Sequence, residues 1–362
     1  LILELNYRKR AFRPAPKSQA EIYNDILHIS RPTHDRHLHD AVERLGADLL
    51  QRLRPVVRPE QPTLATNLVG REGLLAQLLT DLQAGQCISL TGAGGVGKSS
   101  LAAAVTEQWF SPATFWFTFR PTFNDQLESL LFALGHFLHT QGASTLWHQL
   151  IADGGRLKES SLALGLARSD LAVLAQQPLF CFDELDFLRP LTLEQPNPKH
   201  VQLLEFIDSL RGHTPLLLIG QRAFWESDQV YALEALDLAQ LATLLENHAI
   251  PATAEDVSRL HAYTDGNPRL VELCSTLYWL NPQEPFNTVL DELPQTAALL
   301  PLWHRLERRL PSAERRLLHA LAVFRTPAPA DAWQDEDAAD SAPLPQLIQR
   351  RLVRQDEQGG IT

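Results

Sequence analysis

The run Gly92-Ala93-Gly94-Gly95-Val96-Gly97-Lys98-Ser99 constrains this 362-residue chain more than any other segment. It fills the phosphate-binding pattern G-x-x-x-x-G-K-[ST]. An apolar stretch at 87–90 precedes it, and a stretch at 100–108 that reads as a helix follows it. Glycines let such a loop curl until successive N–H groups converge on one anion, and the helix behind adds its positive end. Lys98 is then placed to meet the β and γ phosphates, Ser99 to ligate Mg²⁺, and Ser100 to line the site. A strand, a loop and a helix in this order leave little room for an accidental glycine-rich turn.

Short apolar strands and amphipathic helices alternate around the loop. Strands are expected at 87–90, 114–119, 179–182 and 215–220, with helices over 125–139, ending at 171–175, and over 201–210. That alternation predicts an α/β fold in which a parallel sheet is sandwiched by helices. Beyond residue 235 the strands stop. Segments 236–248, Ala254–Thr264 and Pro268–Leu280 read as a helical subdomain. A last block starts near Leu299. Ser312 is expected to cap a helix over 313–324, a second helix covers 344–351, and 352–355 turns at Gly359-Gly360 into Ile361. Helices followed by a hairpin suggest a winged-helix layout. The expected organisation is therefore an N-terminal helical, effector-proximal linker (1–62), a nucleotide-binding domain (63–235), the helical subdomain (236–298) and an incomplete winged helix (299–362).

Two carboxylates end the strand Leu179-Phe180-Cys181-Phe182: Asp183, suited to holding Mg²⁺, and Glu184, suited to polarising an attacking water. Arg222 follows the strand 216–220 directly, and ligands of parallel sheets bind beyond the strand C-termini. A cation there can sense transferring charge.

These segments occur in a specific order: Val69-Gly70-Arg71-Glu72, GAGGVGKSS, LFCFDELD, LLLIGQR and Gly266-Asn267-Pro268. Together, over about residues 67–362, they resemble the STAND class of P-loop NTPases, which contains the NB-ARC and NACHT switch ATPases. The acidic pattern Asp183-Glu184-Leu185-Asp186 is nearer the NB-ARC form. The resemblance implies ATP or ADP with Mg²⁺ as ligands. It sets adenine against Val69, Gly70 and Arg71, with Pro268 closing the pocket. It also implies a slow ATPase that is closed with ADP and that opens and self-associates on ATP exchange, in bacterial immunity or regulation. The C-terminal histidine that touches ADP in many relatives is not identifiable here.

The remaining features weigh on partners. Net charge is −11, which argues against broad coating of nucleic acid. Arg305, Arg308, Arg309, Arg315 and Arg316 still make the last block locally basic. A DNA-associated remodelling or loading ATPase of the AAA+ kind is the alternative, and a nucleotide-bound scaffold that never hydrolyses is a third reading. His34, His37 and His39 do not share one helical face and read as a solvated helix start rather than a metal site. The three cysteines lie far apart, no apolar run reaches the ~20 residues of a membrane span, and a cytoplasmic location is expected. There is no methionine, and the sequence stops in mid-hairpin. A longer chain is therefore expected, with a trigger-sensing region of helical repeats beyond Thr362.

Overall fold

The computed structural model describes residues 20, 22–52, 68–110, 113–121, 123–155, 157, 159–188, 197–223, 227–295, 297–324, 328, 343–350, 352–355 and 360–361, except the side chains of Tyr23 and 43–52. The chain divides into two compact units, Leu1–Val57 and Arg58–Thr362. In the first, a single π-turn (Ile22–Ile26) precedes helix α1, Arg31–Arg52. The rest of the expected linker up to residue 62 lies outside the described residues, as do the side chains of Leu45, Leu49 and Leu50.

The second unit opens with α2 (Glu72–Gln83), which buries Leu75, Leu78 and Leu82 at the three- and four-residue spacing of one helical face. The strands follow as β1 (Cys87–Thr91), β2 (Thr114–Thr118), β3 (Leu179–Asp183), β4 (Leu216–Ile219) and β5 (Gln229–Ala232). They pair in parallel in the order β2-β3-β4-β1-β5. All residues of β1, β3 and β4 are buried, as continuous apolar strands covered on both faces should be. On one face Ile88, Leu90, Cys181, Leu217 and Ile219 pack with α2 and with α3 (Lys98–Glu107). The other carries an aromatic cluster in which Phe115 lies 5.1 Å from Phe180 and 5.3 Å from Phe137 of α4 (Leu127–Thr140), ring centre to ring centre.

Three further helices separate the later strands: α5 (Thr145–Ala152), α6 (Ser160–Val173) and α7 (Pro198–Asp208). Strand β5 was not expected from the sequence. It is an edge strand with three of its four residues exposed, so it has no buried alternation to betray it.

The helical subdomain comprises α8 (Leu238–Asn247), α9 (Ala254–Thr264), α10 (Pro268–Leu280) and α11 (Phe286–Asp291). Its starts are strongly signalled. Asp237 with Gln240, and Thr253 with Asp256, form reciprocal capping boxes, and Asn267 caps α10 ahead of Pro268 at its first turn. One core unites these helices with Leu302 and Leu306 of α12 (Leu299–Arg309).

A separate small core joins Leu310, α13 (Ser312–Leu321), α14 (Leu344–Gln349), Ala328, Val353 and Ile361. The expected Ser312 cap is corrected here. Ser312 is already the first helical residue, Pro311 occupies the cap position, and no side chain caps the helix. A proline at the cap offers no acceptor, so sequence position alone misplaced the boundary by one residue. Ile361 bridges antiparallel to both Gln355 and Ala328, while the turn residue Gly359 lies outside the described residues. Among the described residues no helix is long and apolar enough to cross a membrane, and no group of three His, Cys, Asp or Glu is placed to hold a metal.

Candidate functional site

β4 lies between β1 and β3, so the loops after all three strands meet at one edge of the sheet. The first of them is the glycine-rich loop. Gly92, Gly95 and Gly97 have φ of 147°, 79° and 101°, in the left-handed half of backbone space that glycine alone enters at no steric cost. Four of the loop's carbonyl oxygens, those of Gly92 to Gly95, accept hydrogen bonds from Lys98 or from the start of α10. Lys98 Nζ donates to the oxygens of Gly92 and Ala93, both at 2.9 Å. Asn267 Nδ2 donates to Gly94 O at 2.8 Å, and the Arg269 N–H donates to Gly95 O at 3.2 Å. Among the described residues, the N–H groups of Gly94, Gly95 and Gly97 have no protein acceptor. Val96 is buried beneath the loop and anchors it. Orphan donors on a concave loop at the start of α3 fit a polyphosphate.

The loop after β3 supplies acid. The Ser99 hydroxyl donates to the Asp183 carboxylate, and the Glu184 N–H donates to Asp183 Oδ1 at 2.8 Å. Glu184 is exposed and holds a left-handed φ of 59°, a conformation that costs a non-glycine residue on the order of 1 kcal/mol and that collects at functional sites. Burial pushes the Asp183 carboxyl up to about 6, beyond what the Ser99 hydrogen bond recovers. Burial also lowers Lys98, while Glu184, Asp183 and Asp186 pull it back up, so these four groups share one electrostatic site. Ser99 and Asp183 together form an oxygen pair suited to a Mg²⁺ ion.

A carboxyl raised from 3.8 to about 6 binds more protons folded than unfolded. Its cost to stability is therefore fully present above pH 6 and vanishes below about 3.8. Asp183→Asn is accordingly expected to stabilise the Mg²⁺-free protein at pH 7 by about 1–3 kcal/mol, an effect that shrinks towards pH 4. Urea unfolding in EDTA at both pH values measures it. Destabilisation at pH 7 would contradict the desolvation account.

Arg222 stands after β4 as expected, and its Nε lies 3.7 Å from Asp186 Oδ1. The other Asp186 oxygen accepts the Gln221 N–H. Asp186 thus ties the β3 and β4 loops together, a role the sequence did not single out. Its signal was its place in the acidic run Asp183–Asp186.

The segment before α2 straps the two subdomains. Leu68 packs against the sheet-side core and Val69 against the helical core. Gly70 faces the Gln240 amide, and Arg71 Nη2 donates to Glu234 O. An open cleft of about 470 Å³ runs between this strap and α8, walled by Leu68, Val69, Gly70, Glu72, Ala239, Gln240, Thr243 and Asn247. Pro268, expected to close a pocket with Val69–Arg71, is not on its wall. It starts α10, and its neighbours Asn267 and Arg269 are the residues that reach the phosphate loop. Both were missed as site residues. An asparagine cap explains itself locally, and nothing local says that its amide also spans to Gly94.

A parallel sheet in the order β2-β3-β4-β1-β5, a glycine-rich loop with Lys98 after β1 and a carboxylate pair after β3 define the fold of a P-loop NTPase. No protein-family model matches the chain, and no curated protein is detectably similar in sequence. Among solved structures, the chain is similar to a STAND (signal transduction ATPase with numerous domains) protein with a tetratricopeptide repeat sensor from Pyrococcus horikoshii. The TM-score is 0.53 at 17% identity, over 85% of this chain and 42% of that one. The chain thus spans about two fifths of that protein's length, and what they share is the fold. Weaker likenesses are to a Walker-type ATPase of Pyrococcus abyssi (TM-score 0.47, 15% identity, 84% of this chain and 95% of that one) and to the Aeropyrum pernix ORC1 protein in complex with DNA (0.39, 16%, 86% and 90%).

Proposed function

We propose that this chain is the nucleotide-binding core of an ATP/ADP-dependent switch of the STAND kind, with slow hydrolysis as its reset. The observation that carries the reading is the clasp of α10 on the phosphate loop, Asn267 to Gly94 and Arg269 to Gly95. A ligand on that loop touches two subdomains at once, and differential contact with two arrangements is what lets a ligand bias a conformational equilibrium.

Lys98 supplies the ammonium for the phosphates, and the glycine-loop N–H groups supply neutral donors. Ser99 and Asp183 hold Mg²⁺, Glu184 accepts a proton from water, and Arg222 stabilises charge beyond β4. Val69, Gly70, Arg71 and Pro268 are the proposed surroundings of the base. Bound MgATP supplies the transferable phosphoryl group and the metal's counter-charge. Self-association on activation and sensing by a region beyond this chain belong to the same proposal, as does a role in bacterial immunity or regulation.

The DNA-associated AAA+-like alternative draws on the basic last block. Part of that charge is already matched: Arg305 and Arg309 both pair with Glu292, and further along the block Arg350 pairs with Glu314 and Arg354 with Glu272. Phosphate binding would have to compete with these carboxylates, which favours the switch.

The test is to denature the purified protein and chromatograph what it releases, then follow single-turnover hydrolysis and mass with ATP-γ-S. ADP should co-purify with wild type and not with Lys98→Ala, and turnover should be slow without DNA. Hydrolysis stimulated by DNA in a salt-sensitive way, with no change of mass, would favour the alternative.

A further inference from the structure

We propose that Glu272 relays the seating of the C-terminal block to the phosphate loop, making Arg354 a remote positioning residue for nucleotide retention. The inference rests on the switch reading above and names a regulatory path within it. Arg269 is tied to the loop at its backbone, through an N–H shared between Gly95 O and the Asn267 cap oxygen. It also approaches the loop closely, since a Cβ added at Gly95 would come within 2.8 Å of Arg269 Cβ. One turn along α10, Glu272 spends both carboxylate oxygens on arginines: Oε2 lies 3.1 Å from Arg269 Nη1, and Oε1 lies 3.6 Å from Arg354 Nη2.

Arg354 is held by its own neighbours. Val353 is buried in the C-terminal core, and Leu352 packs against both that core and the helical one, as Leu280 and Trp303 do. Leu352-Val353-Arg354 is therefore one of the segments that join the C-terminal block to the helical core, and Arg354 carries its polar contact to α10. Loss of that seating frees one oxygen of Glu272, loosens the hold on Arg269 and weakens the clasp on Gly95.

The three side chains are 35–55% exposed, so water and salt screen the pairs. Exposed pairs shift an equilibrium only a few-fold each, and the sharing of Glu272 makes the two pairs interdependent.

The test uses the full chain with Arg354→Ala, Arg354→Gln, Glu272→Gln and the double variant Arg354→Ala/Glu272→Gln. Two readouts are taken: release of a fluorescent ADP by stopped flow, and hydrogen exchange of the Arg269 amide. Each single variant should speed both by roughly 2–5-fold, the double should be no faster than Glu272→Gln alone, and molar salt should bring wild type close to the variants. Unchanged Arg269 exchange in both Arg354 variants, or effects that multiply in the double, would overturn the relay. If wild type fails to bind the fluorescent ADP while Arg269 exchange still speeds, the nucleotide reading falls and the relay stands.

Discussion

Lys98→Ala is expected to weaken ATP and ADP binding by at least about 100-fold, measured by isothermal titration. The ammonium has two tasks. In the structure it closes the loop on itself by donating to Gly92 O and Ala93 O, and burial has already stripped part of its hydration. A charge-assisted hydrogen bond is worth about 1.5–3 kcal/mol, so loss of two such bonds to phosphate oxygens removes about 3–6 kcal/mol. Each 1.4 kcal/mol is a factor of ten, and alanine cannot restore the loop's shape either. Lys98→Arg tests the two tasks separately, because it keeps the charge but carries a wider, planar head. A loss below threefold in Lys98→Ala would mean that the loop holds something other than a polyphosphate.

Gly266→Ala is expected to cost about 3 kcal/mol of stability. Gly266 has φ of 64°, and a Cβ there would overlap the Leu236 carbonyl oxygen, which is backbone and cannot swing away. The Leu236 N–H also donates to Gly266 O at 2.9 Å, so moving either strand of chain breaks that bond. The left-handed conformation adds about 1 kcal/mol and a broken buried hydrogen bond about 1–3 kcal/mol. Gly85→Ala is the matched control. Its φ of 81° carries the same conformational penalty, yet nothing lies within 4 Å of its Cβ, so about 1 kcal/mol is expected. Equal urea midpoints for the two variants would show that the approach of Leu236 to Gly266 is not as drawn. Because Gly266 immediately precedes the Asn267 cap, a destabilised Gly266→Ala protein should also hold ADP less tightly.

The two substitutions differ in how far their reasons could be read from the chain. Lys98 declares itself through seven neighbours of contiguous sequence. The strands β1, β3 and β4 likewise announce themselves as unbroken apolar runs, and α9 and α10 start and stop at the residues their caps mark. Gly266 is different. A glycine ahead of a capping asparagine suggests a turn, but the carbonyl that forbids a side chain belongs to Leu236, thirty residues earlier. Strand β5 was missed for a related reason: short and largely exposed, it is a strand only because β1 offers it an edge.

The sequence by itself determined the phosphate loop, the acidic strand end and the succession of a sheet domain and a helical subdomain. Each of these is written in residues a few positions apart, where glycine φ preferences, apolar periodicity and helix caps act directly. Only the tertiary structure decided that β4 sits between β1 and β3, and so brings Asp186 against Arg222. Only it decided that the asparagine beside Pro268 grips the loop at Gly94 across 173 positions of chain. Those outcomes depend on which distant surfaces find partners, and charge and spacing along the chain carry no record of that. The arginines of the last block look like a phosphate-binding face in sequence, and the fold gives two of the five, Arg305 and Arg309, to the single carboxylate of Glu292.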